Sequence, residues 1–328
     1  MRVGIDCRKI RDFGIGTYIR GLLREMPEIY VAFGPAGIEL PRGVEHVVVD
    51  APNYSIRELF TIGHAADAAR LDLFHAPHYV VPQMRTPAVV TIHDLIHLRR
   101  GIMQRLYART MLRRAIRRSR AVLTVSETVK HEIEKELHGK NVIVTPNGID
   151  EAFFSPSASR LPLPASRYFL FVGNDKPHKN VDAAVAAIDR VEGSVLILAG
   201  AAFDRFRGRE RVLCAGFVDQ NELAALYRGA IALLLPSVEE GFGLPAVEAM
   251  ASGTAVITSP APALVEITAD AALHVDTSEL ADAMRRMMND DALRASLIAR
   301  GRERAAHFTW RACAQRTRVA YVNAMARA

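Results

Sequence analysis

The chain has few of the features that mark several common protein classes. Its 328 residues contain only three cysteines, Cys7, Cys214 and Cys313, which lie far apart and form no Cys-x-x-Cys pair. This pattern argues against a disulfide framework and a cysteine-based zinc site, and it favours a reducing, cytoplasmic setting. No apolar run approaches the roughly 20 residues that a membrane-spanning helix needs. The first residues, Met-Arg-Val-Gly-Ile-Asp, are typical of a short strand rather than a signal peptide.

One stretch of the chain lacks acidic residues altogether. Positions 99 to 120 contain no Asp or Glu but nine arginines: Arg99, Arg100, Arg105, Arg109, Arg113, Arg114, Arg117, Arg118 and Arg120. A solvated helix face is one interpretation of this segment. The other is a surface for an anion, such as an anionic membrane surface, a phosphorylated acceptor or the phosphates of a donor. Nucleic acid is not expected, because no recognisable binding module or interleaved aromatic residues accompany the arginines.

In other respects the composition is that of a globular protein. Hydrophobic residues make up 50% and charged residues 24% of the chain, which are ordinary values. A length of 328 residues predicts two domains of roughly 150 residues each. We expect an N-terminal domain over 1–152, a Pro- and Ser-rich linker over 153–166 and a second domain over 167–308. One or two helices over 309–328 are expected to pack back on the N-terminal domain.

Short β-branched runs alternate with helical patterns along the chain, which is typical of parallel βαβ units. The predicted strands are Arg2–Asp6, Val47–Val49, Leu71–His75, Ala88–Ile92, Ala121–Val125, Val142–Thr145, Tyr168–Val172, Val195–Ala199, Arg211–Cys214, Ile231–Leu235 and Ala255–Ile257. The predicted helices include Thr17–Arg24, Met103–Arg118, Glu127–Leu137, Val181–Arg190, Asn221–Tyr227, Pro245–Ala251 and Ser278–Asn289. The expected fold class is α/β, with two Rossmann-like, doubly wound domains facing a cleft. Ligands of such sheets bind at the carboxyl ends of the strands, so the cleft is the expected site.

The segment from 236 to 250 combines a strand end, a glycine turn and a helix start. It reads Pro-Ser-Val-Glu-Glu-Gly-Phe-Gly-Leu-Pro-Ala-Val-Glu-Ala-Met. Gly241 and Gly243 allow a ligand to approach the backbone, and the helix N-terminus offers free N–H groups to a phosphate. Glu240 and Glu248 provide carboxylates that accept hydrogen bonds from sugar hydroxyls. The alternative is a glycine-capped turn with two solvated glutamates.

This segment, with its Glu-x7-Glu pattern, closely resembles the corresponding motif of retaining glycosyltransferase family 4, which has the GT-B fold. The resemblance extends along nearly the whole chain as a series of short sequence strings. It rests on the order in which these strings occur together, not on any single one. These strings are Gly14-Ile15-Gly16, Thr91-Ile92-His93-Asp94, Thr124-Val125-Ser126-Glu127, Pro146-Asn147-Gly148-Ile149-Asp150, Val172-Gly173 with Lys179-Asn180, Leu198-Ala199-Gly200 and Gly216-Phe217-Val218.

The resemblance implies roles for individual residues. Glu240 would lie against the donor sugar's hydroxyls, and Glu248 would bind the ribose hydroxyls. Lys179 would neutralise the diphosphate, and His93 would contact the donor sugar from the opposite domain. The implied donor-binding set is Gly14, Gly16, Asn174, Lys179, Phe217, Val218, Glu240, Gly241, Phe242, Gly243, Leu244 and Glu248, with His93, Lys179 and Glu240 as catalytic residues.

Three backbone segments complete what the resemblance implies. A glycine loop from Gly14 to Gly16 would leave room for the phosphates and the acceptor. The N–H groups from Phe242 to Leu244 would contact the sugar and the diphosphate, and the segment 216–218 would border the nucleobase.

One position departs from the family. Many members carry an arginine directly after Val172-Gly173, paired with the lysine on the diphosphate, whereas this chain has the uncharged Asn174. Lys176, His178 or an arginine of the first domain would then have to compensate. If none does, the chain is a donor-binding GT-B protein with weak or lost turnover.

The resemblance implies a reaction as well as a fold. A hexose-type sugar would pass from a GDP- or UDP-sugar to a sugar, glycolipid or polysaccharide acceptor, with retention at the anomeric carbon and no enzyme nucleophile. No Asp-x-Asp motif occurs, so neither a metal nor another cofactor is expected. We expect a cytoplasmic enzyme of surface polysaccharide or glycolipid assembly, peripheral at the inner face of the membrane if the arginines bind lipid.

Other α/β enzymes fit the sequence less well. A nicotinamide-dependent oxidoreductase would need a third glycine where Ile19 stands. A sugar-nucleotide epimerase has no reason to carry the Glu-Gly-Phe-Gly-Leu-Pro string, and no lysine has the context of a phosphorylase's pyridoxal phosphate site.

The remaining histidines allow two interpretations. His75, His78 and His97 lie at or just beyond predicted strand ends, where they are either ordinary packing and loop residues or part of an acceptor pocket. His64, His274 and His307 are expected to be structural.

Overall fold

The computed structural model describes residues 1–49, 51, 55–155 and 167–326, and the chain forms two α/β units. The first unit comprises Met1–Gly148 and Trp310–Ala328, and the second comprises Ile149–Thr309. The chain thus passes into the second unit four residues before the predicted boundary at 152. Of the predicted linker, residues 153 and 154 belong to a short helix, and 156–166 lie outside the described residues.

Strands and helices alternate along most of the chain. The strands are β1 (Val3–Asp6), β2 (Ile29–Gly34), β3 (Glu45–Val48), β4 (Leu73–Ala76), β5 (Ala88–Ile92), β6 (Ala121–Thr124), β7 (Val142–Val144), β8 (Tyr168–Asn174), β9 (Val195–Ala201), β10 (Val212–Gly216), β11 (Ala232–Leu235), β12 (Ala255–Thr258) and β13 (Leu273–His274). The α-helices are α1 (Phe13–Glu25), α2 (Ile56–Ala68), α3 (Ile102–Arg118), α4 (Glu127–Leu137), α5 (Glu151–Phe154), α6 (Val181–Ile188), α7 (Gln220–Gly229), α8 (Leu244–Ala251), α9 (Pro262–Thr268), α10 (Leu280–Asn289), α11 (Asp291–Ala305) and α12 (Trp310–Ala326).

Both units contain a parallel sheet, and the two strand orders agree except that the first sheet has a seventh strand, β7, at one edge. The first sheet runs β3-β2-β1-β4-β5-β6-β7 and the second runs β10-β9-β8-β11-β12-β13. In each sheet the chain therefore begins at an inner strand and adds the next two strands on one side. It then crosses back over the first strand and adds the remaining strands on the other side. The crossing point lies between β1 and β4 in the first sheet and between β8 and β11 in the second, where doubly wound sheets bind ligands. The predicted α/β fold class, with two Rossmann-like units, is confirmed.

The first sheet is covered on both faces because successive strand residues point in opposite directions. In β4, Phe74 packs into one core with residues of α2, α3 and α4. Its neighbour Leu73 packs into the other core with residues of α1 and α12. Helix α12 therefore belongs to the first unit, where the ring of Trp310 fills the space that a Cβ at Gly21 would need.

The second sheet is built in the same way. In β8, Phe169 and Phe171 pack with residues of α6 and α10. Leu170 lies between them, is fully buried and faces the side of the sheet on which α7 and α8 contact the strands. Because helices cover both faces of the sheet, the side chains on both sides of its inner strands are buried. The sequences of these strands are therefore nearly continuous runs of apolar residues.

The crossing point of the first sheet is occupied by the unit's own charged side chains. The Arg8 guanidinium donates to Asp6 Oδ2 at 2.7 Å and pairs with the carboxylate of Glu58. His78 Nδ1 accepts from the Val80 N–H, so its Nε2 carries the proton that is donated to Asp6 Oδ2 at 3.1 Å. Burial alone would raise the pKa of Asp6, but Arg8 and His78 hold it well below its usual range.

Candidate functional site

The crossing point of the second sheet brings together the two loops that follow β8 and β11. These strands are neighbours, with Leu170 opposite Leu233, so the residues after each strand lie at the same sheet edge. Lys179 ends a short 3-10 helix after β8, and its Nζ donates to Glu240 Oε1 at 2.6 Å. The Val238 N–H also donates to the His178 carbonyl at 2.8 Å, which ties the two loops together.

Glu240 is held in place by a second donor. The Ser237 hydroxyl donates to the same Glu240 Oε1 at 2.8 Å, and the Ser259 hydroxyl donates to the Ser237 carbonyl. The side chains of Lys179 and Glu240 are 17% and 9% exposed, so their ion pair is partly desolvated. No donor to Glu240 Oε2 lies among the described residues, and this oxygen is available to a ligand.

The glycine turn before α8 offers backbone donors. Gly243 precedes the helix with a φ of +83°, and a Cβ there would lie 2.5 Å from Leu264 Cδ2. Within the described residues, the N–H groups of Phe242, Gly243 and Leu244 have no acceptor. The Phe242 ring is buried edge-on against Phe308, so this residue presents only its backbone. Unpaired N–H groups at the positive end of a helix form an anion site.

Glu248 lies one turn into α8 and is oriented by a tyrosine. The buried hydroxyl of Tyr227, on α7, donates to Glu248 Oε2 at 2.9 Å. Burial raises the pKa of Glu248 to about 7, and the charge of Asp150 adds to this, while the hydrogen bond from Tyr227 opposes it. The carboxyl group is therefore divided between its neutral and charged forms near neutral pH.

Asn174 ends β8 beside this arrangement. Its Oδ1 is buried and accepts no hydrogen bond from the residues that the structure describes. The next residue, Asp175, pairs with Arg205, whose Nη2 donates at 2.8 Å to both Asp175 and Asp182. Arg205 is thus neutralised by two carboxylates and does not replace the arginine that the resemblance leads one to expect at 174.

The predicted nucleobase segment lies at the end of β10. Gly216 has a φ of +73°, which turns the chain sharply after the strand. The Phe217 ring is 79% exposed, and Val218 is partly buried. An aromatic side chain at a strand end is of the kind that stacks on a planar base.

His93, in the first unit, directly follows β5. Its Nε2 lies 3.0 Å from the Pro77 carbonyl, which can only accept, so Nε2 carries the proton and Nδ1 is an acceptor. The ring also lies edge-on to Tyr18, with the centroids 4.9 Å apart. Burial lowers the pKa of His93 to about 4. The imidazole is therefore neutral at physiological pH and can accept a hydrogen bond from a hydroxyl.

The structure corrects one expectation in the first unit, that of a glycine loop from Gly14 to Gly16. Gly14 and Gly16 lie in the first turn of α1 rather than in a loop, because the helix already begins at Phe13. A Cβ at Gly16 would lie 2.4 Å from the Ile10 carbonyl oxygen, so close backbone packing accounts for this glycine.

The histidines expected at strand ends differ from one another. His75 lies within β4 and is fully buried, hydrogen-bonded to Tyr321 and Thr91 at 2.6 and 2.7 Å. His78 belongs to the buried network around Asp6. His97 is the exposed member of the three and lies edge-on to Tyr79. His75 and His78 are thus structural residues of the first unit.

Two further findings concern metals and membranes. Within the described ranges, no group of three or more His, Cys, Asp or Glu side chains is arranged to hold a metal ion. Among the helices that the structure describes, none combines the length and the apolar character needed to span a bilayer.

Family models match both units of the chain. Residues 14–153 match the model described as Glycosyltransferase Family 4, and residues 160–304 match the model described as Glycosyl transferases group 1. The chain belongs to the group 1 glycosyltransferases. The resemblance carried by the Glu240–Glu248 motif is thereby confirmed.

Relatives of this glycosyltransferase include two proteins named for the O antigen. It is 30% identical over 217 residues to the O-antigen chain mannosyltransferase RfbU of Salmonella typhimurium, a match that covers 62% of this chain and 60% of that protein. It is 26% identical over 284 residues to O-antigen chain mannosyltransferase B of Escherichia coli, covering 76% of this chain and 74% of that protein. The match thus spans less than two thirds of the Salmonella protein's own length.

Solved structures share the fold of this glycosyltransferase. Sucrose-phosphate synthase from Thermosynechococcus elongatus superposes with a TM-score of 0.85 at 22% identity over 100% of both chains. Anabaena HepE, solved with UDP and glucose, superposes with a TM-score of 0.80 at 17% identity, covering 98% of this chain and 99% of that one. At these identities the likeness shows the fold alone.

Two residues of the site were missed by sequence reasoning. Ser237 lies inside the motif but has no role in the resemblance, and Tyr227 precedes Glu248 by 21 positions on another helix. The signal for Tyr227 is its buried hydroxyl, which needs a hydrogen-bond acceptor. That acceptor, Glu248, is identified only when α7 is seen to pack against α8.

Proposed function

We propose that the protein transfers a hexose-type sugar from a nucleotide-diphosphate sugar to a hydroxyl of a sugar, glycolipid or polysaccharide acceptor, with retention at the anomeric carbon. The observation that carries the proposal is the Lys179–Glu240 ion pair beside the unpaired N–H groups before α8. One site thereby combines a cation, a carboxylate and backbone donors, which are the groups that a sugar diphosphate needs.

Lys179 and the backbone donors act on the leaving group. Departure of the nucleoside diphosphate builds negative charge on its phosphates, and fixed positive charge there stabilises the transition state most. The donor's phosphates compete with Glu240 for the Lys179 ammonium, which then binds the diphosphate. These groups supply positive charge from the protein itself, so we propose that transfer needs no divalent metal.

The two glutamates act on the rest of the donor. Glu240 Oε2 accepts from a hydroxyl of the sugar, and we assign it no covalent role. Glu248, oriented by Tyr227, accepts from the ribose hydroxyls, while Phe217 stacks on the base. His93, whose Nδ1 is an acceptor, is proposed as a further contact to the donor sugar.

The donor nucleotide is proposed to be GDP or UDP. The mannosyltransferase names of two relatives favour a GDP-sugar, and the UDP bound by Anabaena HepE favours a UDP-sugar. The O-antigen names of the same relatives support a role in surface polysaccharide or glycolipid assembly.

Thermal unfolding in the presence of chelator tests the proposal. Each of UDP, GDP and their common sugar conjugates is added in excess, and a ligand at one hundred times its dissociation constant should stabilise the fold by about 2.7 kcal/mol. We expect one nucleotide family to raise the melting temperature and Lys179→Met to abolish the rise. Lys140→Met, at an exposed lysine of the first unit, is the matched control. A shift that appears only after divalent metal is added would refute metal independence.

A second candidate function is donor binding without turnover, favoured by the uncharged Asn174 and its unsatisfied Oδ1. Measuring the release of nucleoside diphosphate at a saturating donor concentration distinguishes sugar transfer from donor binding without turnover. Saturable donor binding without transfer or hydrolysis, with any sugar or lipid-linked acceptor tested, would favour the second candidate.

A further inference from the structure

Helix α3 is attached to the first unit along one narrow face. Ala108, Leu112 and Ala115 are its buried residues and pack into the core that α2 and α4 share. Each residue of an α-helix is turned by about 100° from the one before. The three buried positions therefore fall on one side of α3, and the opposite side faces away from the unit.

The first turns of the outward side are apolar. Ile102, Met103 and Leu106 are 74%, 76% and 62% exposed. Their spacing places them together on the side opposite the buried residues. Single exposed apolar side chains are common, but three that adjoin at one helix end form a patch that calls for a partner.

A row of arginines continues from this apolar patch. Arg105, Arg109, Arg113 and Arg117 follow one another at four-residue spacing and so lie along one flank and the outward side of the helix. Within the described residues, none of the four has a carboxylate partner. The other arginines of the segment differ, since Arg99 pairs with a carboxylate and Arg114 donates to a backbone carbonyl.

We infer that α3 is a docking surface for an anionic lipid bilayer. The apolar patch (Ile102, Met103 and Leu106) enters the boundary between headgroups and acyl chains, and the arginine row (Arg105, Arg109, Arg113 and Arg117) binds the lipid phosphates. An apolar face beside a basic flank is the pattern of helices that lie in the membrane surface. The first turn of α3 contains no acidic residue, so the positive end of the helix dipole adds to the attraction.

A second copy of the chain fits this surface less well than a lipid. In a two-fold pairing through α3, the same patch would face itself. Two arginine rows without carboxylate partners would then be brought together, and like charges oppose such contacts. An anionic headgroup layer complements the row instead.

Vesicle flotation tests the inference without donor or acceptor, so its outcome is independent of the proposed activity. The protein is mixed with vesicles of phosphatidylcholine alone or of phosphatidylcholine with phosphatidylglycerol. We expect binding to the anionic vesicles only. The double variant Ile102→Ser/Leu106→Ser should weaken that binding about tenfold or more, because both side chains lose their insertion. Replacing the four arginines of the row by Gln should weaken it by at least about tenfold.

A charge-matched variant controls for the loss of four cations. Arg42, Arg57, Arg311 and Arg316 are exposed residues of the same unit, and their replacement by Gln should leave vesicle binding within about twofold of wild type. Circular dichroism and melting temperature establish that each variant is folded.

Two results would overturn the inference. The first is an absence of binding to anionic vesicles by the folded wild-type protein. The second is unchanged vesicle binding by the Ser double variant, which would mean that the apolar patch does not insert. If that variant instead turned a wild-type dimer into a monomer, as measured by sedimentation, the patch would be an interface between copies.

Discussion

At the scale of single residues, the Lys179–Glu240 pair makes a specific prediction about catalysis. Replacing Glu240 with Gln keeps its shape but removes the charge that competes with the donor for Lys179. We expect the turnover number to fall about a hundredfold or more, as when other transition-state contacts are lost. Donor affinity should stay within about threefold of wild type or improve, because the lysine is released to the diphosphate.

Single-turnover kinetics and calorimetric titration of the donor separate these two effects. Glu210→Gln is the control, since Glu210 is an exposed residue of the same unit. A variant with full turnover but weak donor affinity would assign Glu240 to binding alone.

Sequence reasoning found both partners of this pair but not the pair itself. The resemblance assigned Lys179 to the diphosphate and Glu240 to the sugar, and those roles stay predictions. The two residues are 61 positions apart, and only the adjacency of β8 and β11 brings them together. Strand order is a property of the folded sheet, which residue spacing alone does not determine.

Glu248 makes stability depend on pH. Its pKa rises from an ordinary value of 4.5 to about 7 in the folded protein, so between these values the folded chain holds a proton that the unfolded chain releases. Stability from this group is therefore fully present below pH 4.5 and is lost as the pH rises towards 7. We expect wild type to lose about 1–3 kcal/mol across this window relative to Glu248→Gln, which is neutral throughout.

Urea unfolding of both proteins over this pH range measures the difference. Two stability curves that stay parallel from pH 4.5 to 7 would show that the Glu248 carboxyl keeps its ordinary pKa.

At the scale of secondary-structure elements, the start of α8 depends on one glycine. Gly243→Ala places a Cβ at a positive φ and within 2.5 Å of Leu264 Cδ2. Gly193 also has a positive φ, but a Cβ there would meet nothing within 4 Å. We expect Gly193→Ala to cost about 1 kcal/mol of unfolding free energy and Gly243→Ala about 1–2 kcal/mol more. Urea denaturation compares the two, and equal losses would mean that Leu264 moves aside freely.

Elements were predictable where their ends carry local signals. The predicted bounds of α4 are those observed, because Ser126 caps its start and His138 ends it in a left-handed conformation. β2 was missed although residues 29 to 33 are an apolar run. Such a run has neither the alternation of a half-buried strand nor the period of a helix. Helix α1 was placed four residues too late because its first turn contains two glycines.

At the scale of the whole molecule, the two sheets share the order of six strands but use their crossing points differently. In the second unit, the sheet edge at the crossing point has a partly exposed ion pair and backbone donors. Such groups suit a ligand that binds reversibly. In the first unit the same edge is filled by the buried network around Arg8. The sequence predicted two doubly wound units, because each alternates strands with helices. It did not show that one crossing point is filled, since Asp6, Glu58 and His78 lie in three separate segments: β1, α2 and the loop after β4.

This difference predicts that the network around Arg8 stabilises the first unit. Asp6→Asn removes one of the two carboxylates that neutralise the buried Arg8, and such a loss typically costs about 3–5 kcal/mol. Glu45→Gln removes an exposed partner of Arg2 in the same unit and should cost no more than about 1 kcal/mol. Trp310, the chain's single tryptophan, lies in α12 against α1, so its fluorescence during urea unfolding reports on this unit. A similar small loss in both variants would mean that Glu58 alone suffices to neutralise Arg8.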